Sequence, residues 1–202
     1  MAPTAVVFDV GNVLYRWNPE GFLARQVADD AARIQFVEDV DLYGWHDTLD
    51  GGRPFADAAA ELSLTFPHYA ALIAAWGERF GETIVDPVPG VHELVASLDA
   101  RGVPLFGITN FSADFWPPFR AREERFFSCF RDIVVSGEEK MLKPDPALYR
   151  LALRRFGLEP GEALFVDDRA TNVEGARAVG MHAHLFTDAA DLRARLEANG
   201  LL

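Results

Sequence analysis

The chain is short of three things, and each shortage removes a class of protein. It has one cysteine in 202 residues, Cys129, so no internal disulfide can form. That usage fits a reducing, cytoplasmic setting, with Cys129 read as a small buried hydrophobe among Phe126, Phe127 and Phe130. No apolar run approaches the roughly 18 residues that a membrane-spanning helix needs, and no charged segment followed by an apolar stretch opens the chain. Membrane spanning and a secretory leader are therefore not expected. Basic residues are outnumbered, 19 Lys and Arg against 31 Asp and Glu, for a formal net charge of −12. Nucleic-acid backbones reward clustered Lys and Arg, so a nucleic-acid partner is not expected. The mixed Arg and Glu of residues 120–131 reads as a solvated face.

What remains is an ordinary globular composition, 50% apolar and 25% charged. Its length suits one core domain plus an insertion, able to bury about 70% of the unfolded surface. Apolar strand-like runs fall at residues 4–8, 103–108, 132–135, 163–166 and 182–186, and helical patterns separate the last four. Alternation of this kind implies right-handed crossovers and a doubly wound parallel sheet, α/β in class. Between residues 18 and 81 no convincing strand appears. Asn18-Pro19 reads as a helix start, and Gly51-Gly52 breaks the helical pattern. Residues 16–84 are thus expected to form a small helical insertion. Pro117-Pro118 is expected to interrupt a helix over residues 111–125.

Three of the apolar runs stop abruptly at polar residues: Val6-Val7-Phe8-Asp9-Val10-Gly11-Asn12, Gly107-Ile108-Thr109-Asn110 and Leu164-Phe165-Val166-Asp167-Asp168. A fourth segment, Leu142-Lys143-Pro144, leads into a helix. Buried parallel strands deliver residues to their carboxyl ends, where ligands of open α/β sheets bind. Singly, each has a bland reading. Asp9 before a glycine could cap a turn, Thr109-Asn110 could cap a helix, and Lys143 could be solvated. Asp167-Asp168 is the strongest element, because adjacent acids repel unless a cation or solvent relieves them, and Mg²⁺ prefers carboxylate oxygens.

In order and spacing the four segments resemble the motifs of the haloacid dehalogenase-like hydrolase superfamily. The insertion falls where its first class of helical cap (C1) occurs. Phe8 through Leu14, Thr109-Asn110-Phe111 through Phe115-Trp116, Lys143-Pro144 and Phe165 through Ala176 look like the sugar-1-phosphate phosphatase branch. The resemblance implies a Rossmann-like five-stranded sheet of order 5-4-1-2-3. It also implies a core at residues 1–15 and 85–202, with a cap at 16–84. It implies a Mg²⁺-dependent phosphatase acting on a small phosphorylated metabolite, with a sugar phosphate as leading substrate. Asp9 would be the nucleophile. Asp9, the Gly11 carbonyl and Asp168 would hold the metal, with Asp167 as a further ligand or an outer partner. Thr109, the Asn110 amide and Lys143 would hold the phosphoryl group.

One position departs from that pattern. Most phosphatases of the superfamily carry a second aspartate two residues after the nucleophile, as general acid and base; here it is Gly11. Within the cap, His46 or Asp47 is the expected substitute, closing over the site, although His46 alone reads as a solvated helix residue. Two rival functions stay open: a metal-independent 2-haloacid dehalogenase and a non-catalytic module that binds a phosphorylated ligand. The paired acids favour the phosphatase. His182 and His184 share a strand face but lack a third ligand. Trp45, Trp76 and the cluster Phe111, Phe115, Trp116, Phe119 read as core or interface packing.

Overall fold

A computed structural model describes residues 2–202. The strands are β1 (Ala5–Phe8), β2 (Tyr15–Trp17), β3 (Ile84–Pro87), β4 (Leu105–Thr109), β5 (Asp132–Val135), β6 (Ala163–Asp167) and β7 (His182–Leu185). Five of them form one sheet in the order β5-β4-β1-β6-β7, every neighbouring pair parallel. Read from the other edge, this is the expected 5-4-1-2-3 arrangement. Every residue of β1, β4 and β6 is buried, as strands covered on both faces require.

The helices are α1 (Pro19–Gln26), α2 (Asp30–Asp39), α3 (Leu42–Asp50), α4 (Phe55–Thr65), α5 (Ala70–Glu78), α6 (Val91–Ala100), α7 (Trp116–Arg122), α8 (Glu124–Phe127), α9 (Ser136–Glu139), α10 (Pro146–Phe156), α11 (Ala170–Ala178) and α12 (Ala189–Ala198). Alternate residues of β1 face opposite layers. Val6 and Phe8 join Leu94, Leu98 and Leu192, while Ala5 and Val7 join Leu148, Tyr149 and Ala176. The sheet is therefore doubly wound, with β1 at its centre.

Helices α1 to α5 all lie between β2 and β3. Asn18 starts α1 as expected, its side chain accepting from the Gly21 amide at 2.8 Å. The ends of this segment correct the sequence reading. Residues 15–17 and 84–87 are strands that pair antiparallel, Tyr15 with Pro87 and Trp17 with Ile84, so the chain leaves and re-enters through one two-stranded ribbon. Three residues are too few to show a period of two, which is why β2 was not visible.

Two further readings need correction. Pro117 and Pro118 do not interrupt a helix; they sit in the first turn of α7, where amide hydrogens have no helical partner to lose. Arg122 is not a merely solvated residue. Its guanidinium donates to the carbonyls of Gly81, at 2.8 Å, and Ile84, at 3.3 Å, and so pins the returning ribbon. Cys129 is half-buried, its thiol 3.0 Å from the Phe126 carbonyl. Among the described residues no helix is long and apolar enough to cross a membrane.

Candidate active site

The parallel register brings the ends of β1, β4 and β6 together, and with them the expected residues. Asp9 follows β1 and Asp167 ends β6, on either side of Lys143. The Lys143 ammonium lies 2.8 Å from Asp9 Oδ1 and 2.7 Å from Asp167 Oδ2, with all three residues buried. Lys143 is not solvated, and its backbone explains why. The Asn110 side chain accepts from the Lys143 amide at 2.8 Å and donates to its carbonyl at 3.2 Å. Asn110, at the end of β4, thus fixes the lysine main chain, a task the sequence did not suggest. The Val10 amide donates to Asp9 Oδ1 at 2.6 Å and helps orient that carboxylate. Thr109 is buried at the end of β4, beside Asn110 and behind the lining of the cavity.

Three acids stand against one ammonium. One carboxylate oxygen from each of Asp9, Asp167 and Asp168 lies within 4.8 Å of the others. Burial, aided by Asp167 and Asp168 and opposed by Lys143, pushes the Asp9 carboxyl up to about 7. Burial also raises Asp168, with Asp167 adding to the effect. Lys143 loses solvation too, but Asp9 and Asp167 outweigh that loss and hold its ammonium above the ordinary lysine value. An excess of buried acid with oxygen donors suits a hard divalent cation, which would lower the acid pKa values again.

Asp167 is differently placed from its two neighbours. Besides Lys143 it accepts from the Arg169 amide at 2.8 Å and from the Asn172 side chain at 3.0 and 3.1 Å. Both its oxygens are engaged, and it does not line the cavity. Its geometry is that of a support for Lys143. Asp9, Gly11 and Asp168 do line the cavity and keep the capacity to bind a cation.

The cavity, about 360 Å³, lies between these strand ends and the helical segment. Trp17, Tyr43, Phe80, Ile84 and Phe111 supply apolar walls; His46, Asp47, Asp50 and Arg169 supply polar groups. His46 lines the cavity but is not a solvated helix residue. It is buried, stacked between Trp17 at 5.4 Å and Phe80 at 5.2 Å, with Trp76 edge-on at 5.5 Å. Burial drops its pKa to about 4, so it is neutral at pH 7. Asp47 sits exposed at the rim.

Asp50 was missed by sequence reasoning, although one signal was available. A carboxylate at the last position of a helix opposes the helix dipole, so its presence calls for another reason. Trp45, Trp76 and the cluster Phe111, Phe115, Trp116 and Phe119 are buried, as expected. Phe80, on the helical segment, stacks on Phe115 at 4.3 Å. His184 lies 3.1 Å from Asp191, away from this site.

Comparison with known proteins bears on the family and the fold. The sequence pattern of haloacid dehalogenase-like hydrolases matches residues 3–180. A sesquiterpene phosphatase of Aspergillus oryzae is 29% identical, covering 91% of this chain and 90% of that protein. An N-acetylmuramic acid 6-phosphate phosphatase of Pseudomonas aeruginosa is also 29% identical, covering 87% and 78%. Among solved structures, a haloacid dehalogenase family enzyme of Bacteroides thetaiotaomicron, crystallised with magnesium and inorganic phosphate, shares the fold. Its TM-score is 0.70 at 18% identity, over 92% of this chain and 95% of that one.

Proposed function

The chain belongs to the haloacid dehalogenase-like hydrolase family, and on that premise we propose that it is a Mg²⁺-dependent phosphatase of small phosphate monoesters. The observation that carries this reading is the buried Asp9–Lys143–Asp167 array with Asp168 beside it. A carboxylate nucleophile, a fixed ammonium and free acid oxygens in one cavity suit phosphoryl transfer. Asp9 attacks phosphorus and takes the phosphoryl group, and water then releases it. Lys143 offsets charge on the attacking oxygen and on the phosphoryl oxygens, held in place by Asp167 below and Asn110 behind. This is preorganised electrostatic stabilisation, with little rearrangement needed at the moment of reaction. Asp9, the Gly11 carbonyl and Asp168 are the residues we assign to Mg²⁺, which when bound supplies positive charge to the phosphoryl group. The phosphoryl contacts assigned to Thr109 and the Asn110 amide belong to the same proposal.

Residues 16–84 act in this scheme as a cap on a core of residues 1–15 and 85–202, opening on the β2–β3 ribbon to admit substrate and closing to exclude water. A sugar phosphate is the leading substrate. Its rings can lie on aromatic walls while Asp47, Asp50 and Arg169 meet hydroxyls, and relatives named for sugar phosphates support it. The share of the cavity given to Trp17, Tyr43, Phe80, Ile84 and Phe111 favours a second reading, an apolar alcohol phosphate. One screen tests all of this: sugar, prenyl and aryl phosphates, each with Mg²⁺ and with chelator. Phosphate release that needs Mg²⁺ is expected. Metal-independent halide release from 2-chloropropionate, without phosphate release, would replace this reading with the dehalogenase. Ligand binding without any turnover would favour the non-catalytic module.

A further inference from the structure

We propose that Asp50 is the general acid and base of this site, supplying from the helical segment what Gly11 cannot. The inference rests on the phosphatase reading and names a catalytic residue within it. An alkoxide leaves phosphorus poorly unless it is protonated as the bond breaks, so the missing aspartate must have a substitute. At Gly11 itself there is only room: apart from its chain neighbours, none of the described residues comes within 4 Å of where a Cβ would stand.

Asp50 faces the same cavity as Asp9 and Lys143 and is 7% exposed. Its Oδ1 is buried with no hydrogen-bond partner among the described residues, and His46 Nε2 lies 3.6 Å from it. A carboxylate with one oxygen enclosed and unpaired is costly, so burial favours the protonated form. The surrounding charges agree. Burial, Asp47 and Asp9 all favour the proton on Asp50, opposed by a hydrogen bond from the Ser112 backbone and by Lys143. His46 contributes no charge, since it is itself neutral. The result is an acid that holds its proton well beyond the range of an ordinary aspartate.

The main chain that carries this carboxyl group is also fixed in place. Ser136 Oγ, at the end of β5, donates to the Asp50 carbonyl at 2.6 Å and accepts from the Phe111 amide at 2.9 Å. The chain then turns at Gly52, φ +94°, where a Cβ would come within 2.8 Å of the Gly137 carbonyl. Glycine is needed there both for its backbone angle and for the close approach. The end of α3 is therefore seated directly on the start of α9 and on the chain that follows β4. The two residues expected from the sequence fit less well. His46 has lost its proton far below neutral pH, and Asp47 lies at the rim.

In the first step Asp9 Oδ bonds to phosphorus, the bond from phosphorus to the leaving oxygen breaks, and that oxygen takes the Asp50 proton. In the second step Asp50, now ionised, takes a proton from the water whose oxygen attacks phosphorus. The bond to Asp9 breaks, phosphate leaves, and both carboxyl groups return to their starting states.

The test varies only the acidity of the leaving group. Wild type, Asp50→Asn and Asp50→Ala are assayed with Mg²⁺ on p-nitrophenyl and p-methylphenyl phosphate, near-equal in size, following the first turnover by rapid quench. Loss of the acid is expected to slow release of p-methylphenol at least about tenfold more than release of p-nitrophenolate, which departs unaided. Steady-state turnover of p-nitrophenyl phosphate should then lag its first turnover, as the phosphorylated enzyme accumulates without a base. Equal losses on both substrates, or none, would overturn the assignment. A wild-type protein inert to both would end the phosphatase reading, and this proposal with it.

Discussion

Two regions of this molecule bury ionisable groups to a similar depth and reach opposite outcomes. At the carboxyl ends of the strands, the Lys143 ammonium lies within 2.8 Å of both Asp9 and Asp167, so it survives in a buried place. Across the cavity, His46 and Asp50 are 3.6 Å apart, and burial drives both toward their neutral forms. Depth alone does not decide charge: partners of opposite sign keep Lys143 an ammonium, although one such partner does not return Asp9 to the ordinary carboxylate range. One wall of the cavity thus offers fixed charge for a phosphoryl group. The other holds groups that burial drives toward their neutral forms.

The most severe way to break this contrast is to remove the nucleophile from the charged wall. Asp9→Asn should reduce p-nitrophenyl phosphate turnover by about 10⁴-fold or more, as loss of a nucleophile typically does. Residual activity above one part in a hundred would place the attack elsewhere. Next in size is Lys143→Met, which leaves Asp9 and Asp167 without their partner. Removing one member of a buried ion pair costs about 3–5 kcal/mol, to be read as a lower urea midpoint. Added Mg²⁺ should recover part of that loss, because a bound cation stabilises the folded form.

The neutral wall gives a test of opposite character. His46 has a folded-state pKa of about 4, below the unfolded value of 6.5. The unfolded chain therefore binds the proton more readily, and this contribution is complete above pH 6.5 and lost as pH falls toward 4. The difference amounts to about 3 kcal/mol, at about 1.4 kcal/mol per pH unit. Asp9 and Asp50, with raised values, act in the reverse direction, so wild type must be compared with His46→Phe. The variant should remove the His46 part of the slope between pH 6.5 and 4 in urea unfolding; parallel curves would mean that folding does not shift the pKa of the ring. Smallest is Ser136→Ala, which leaves the Asp50 carbonyl and the Phe111 amide without this hydroxyl. A stability loss of about 1–2 kcal/mol is expected. Turnover of poor leaving groups should fall with it, as the end of α3 loosens.

Legibility followed range. Asp9, Asn110, Lys143, Asp167 and Asp168 could be read because each ends a strand or opens a turn, and a strand announces its own end through local pattern. Even so, the pairing of Lys143 with Asp167 was not visible, nor the clamp that Asn110 puts on its backbone. Pro117 and Pro118 were misread because the same dipeptide can break a helix or begin one, depending on where the first turn falls. His46 looked like a surface residue because its helix carries polar neighbours, whereas its ring is enclosed by Trp17, Trp76 and Phe80 from three separate elements.

By itself, the order of residues determined the doubly wound sheet, the central place of the Asp9 strand and the family to which the chain belongs. These follow from short-range periodicity and from the handedness of strand crossovers. The tertiary structure alone decided that Asp50 shares a cavity with Asp9, that Trp17 and Phe80 wall it, and that β2 and β3 close the insertion into one ribbon. Those outcomes depend on how a segment of some seventy residues docks through packing and a few hydrogen bonds, among them Ser136 to Asp50. No local pattern encodes a contact across that separation, since its energy appears only once both surfaces have formed.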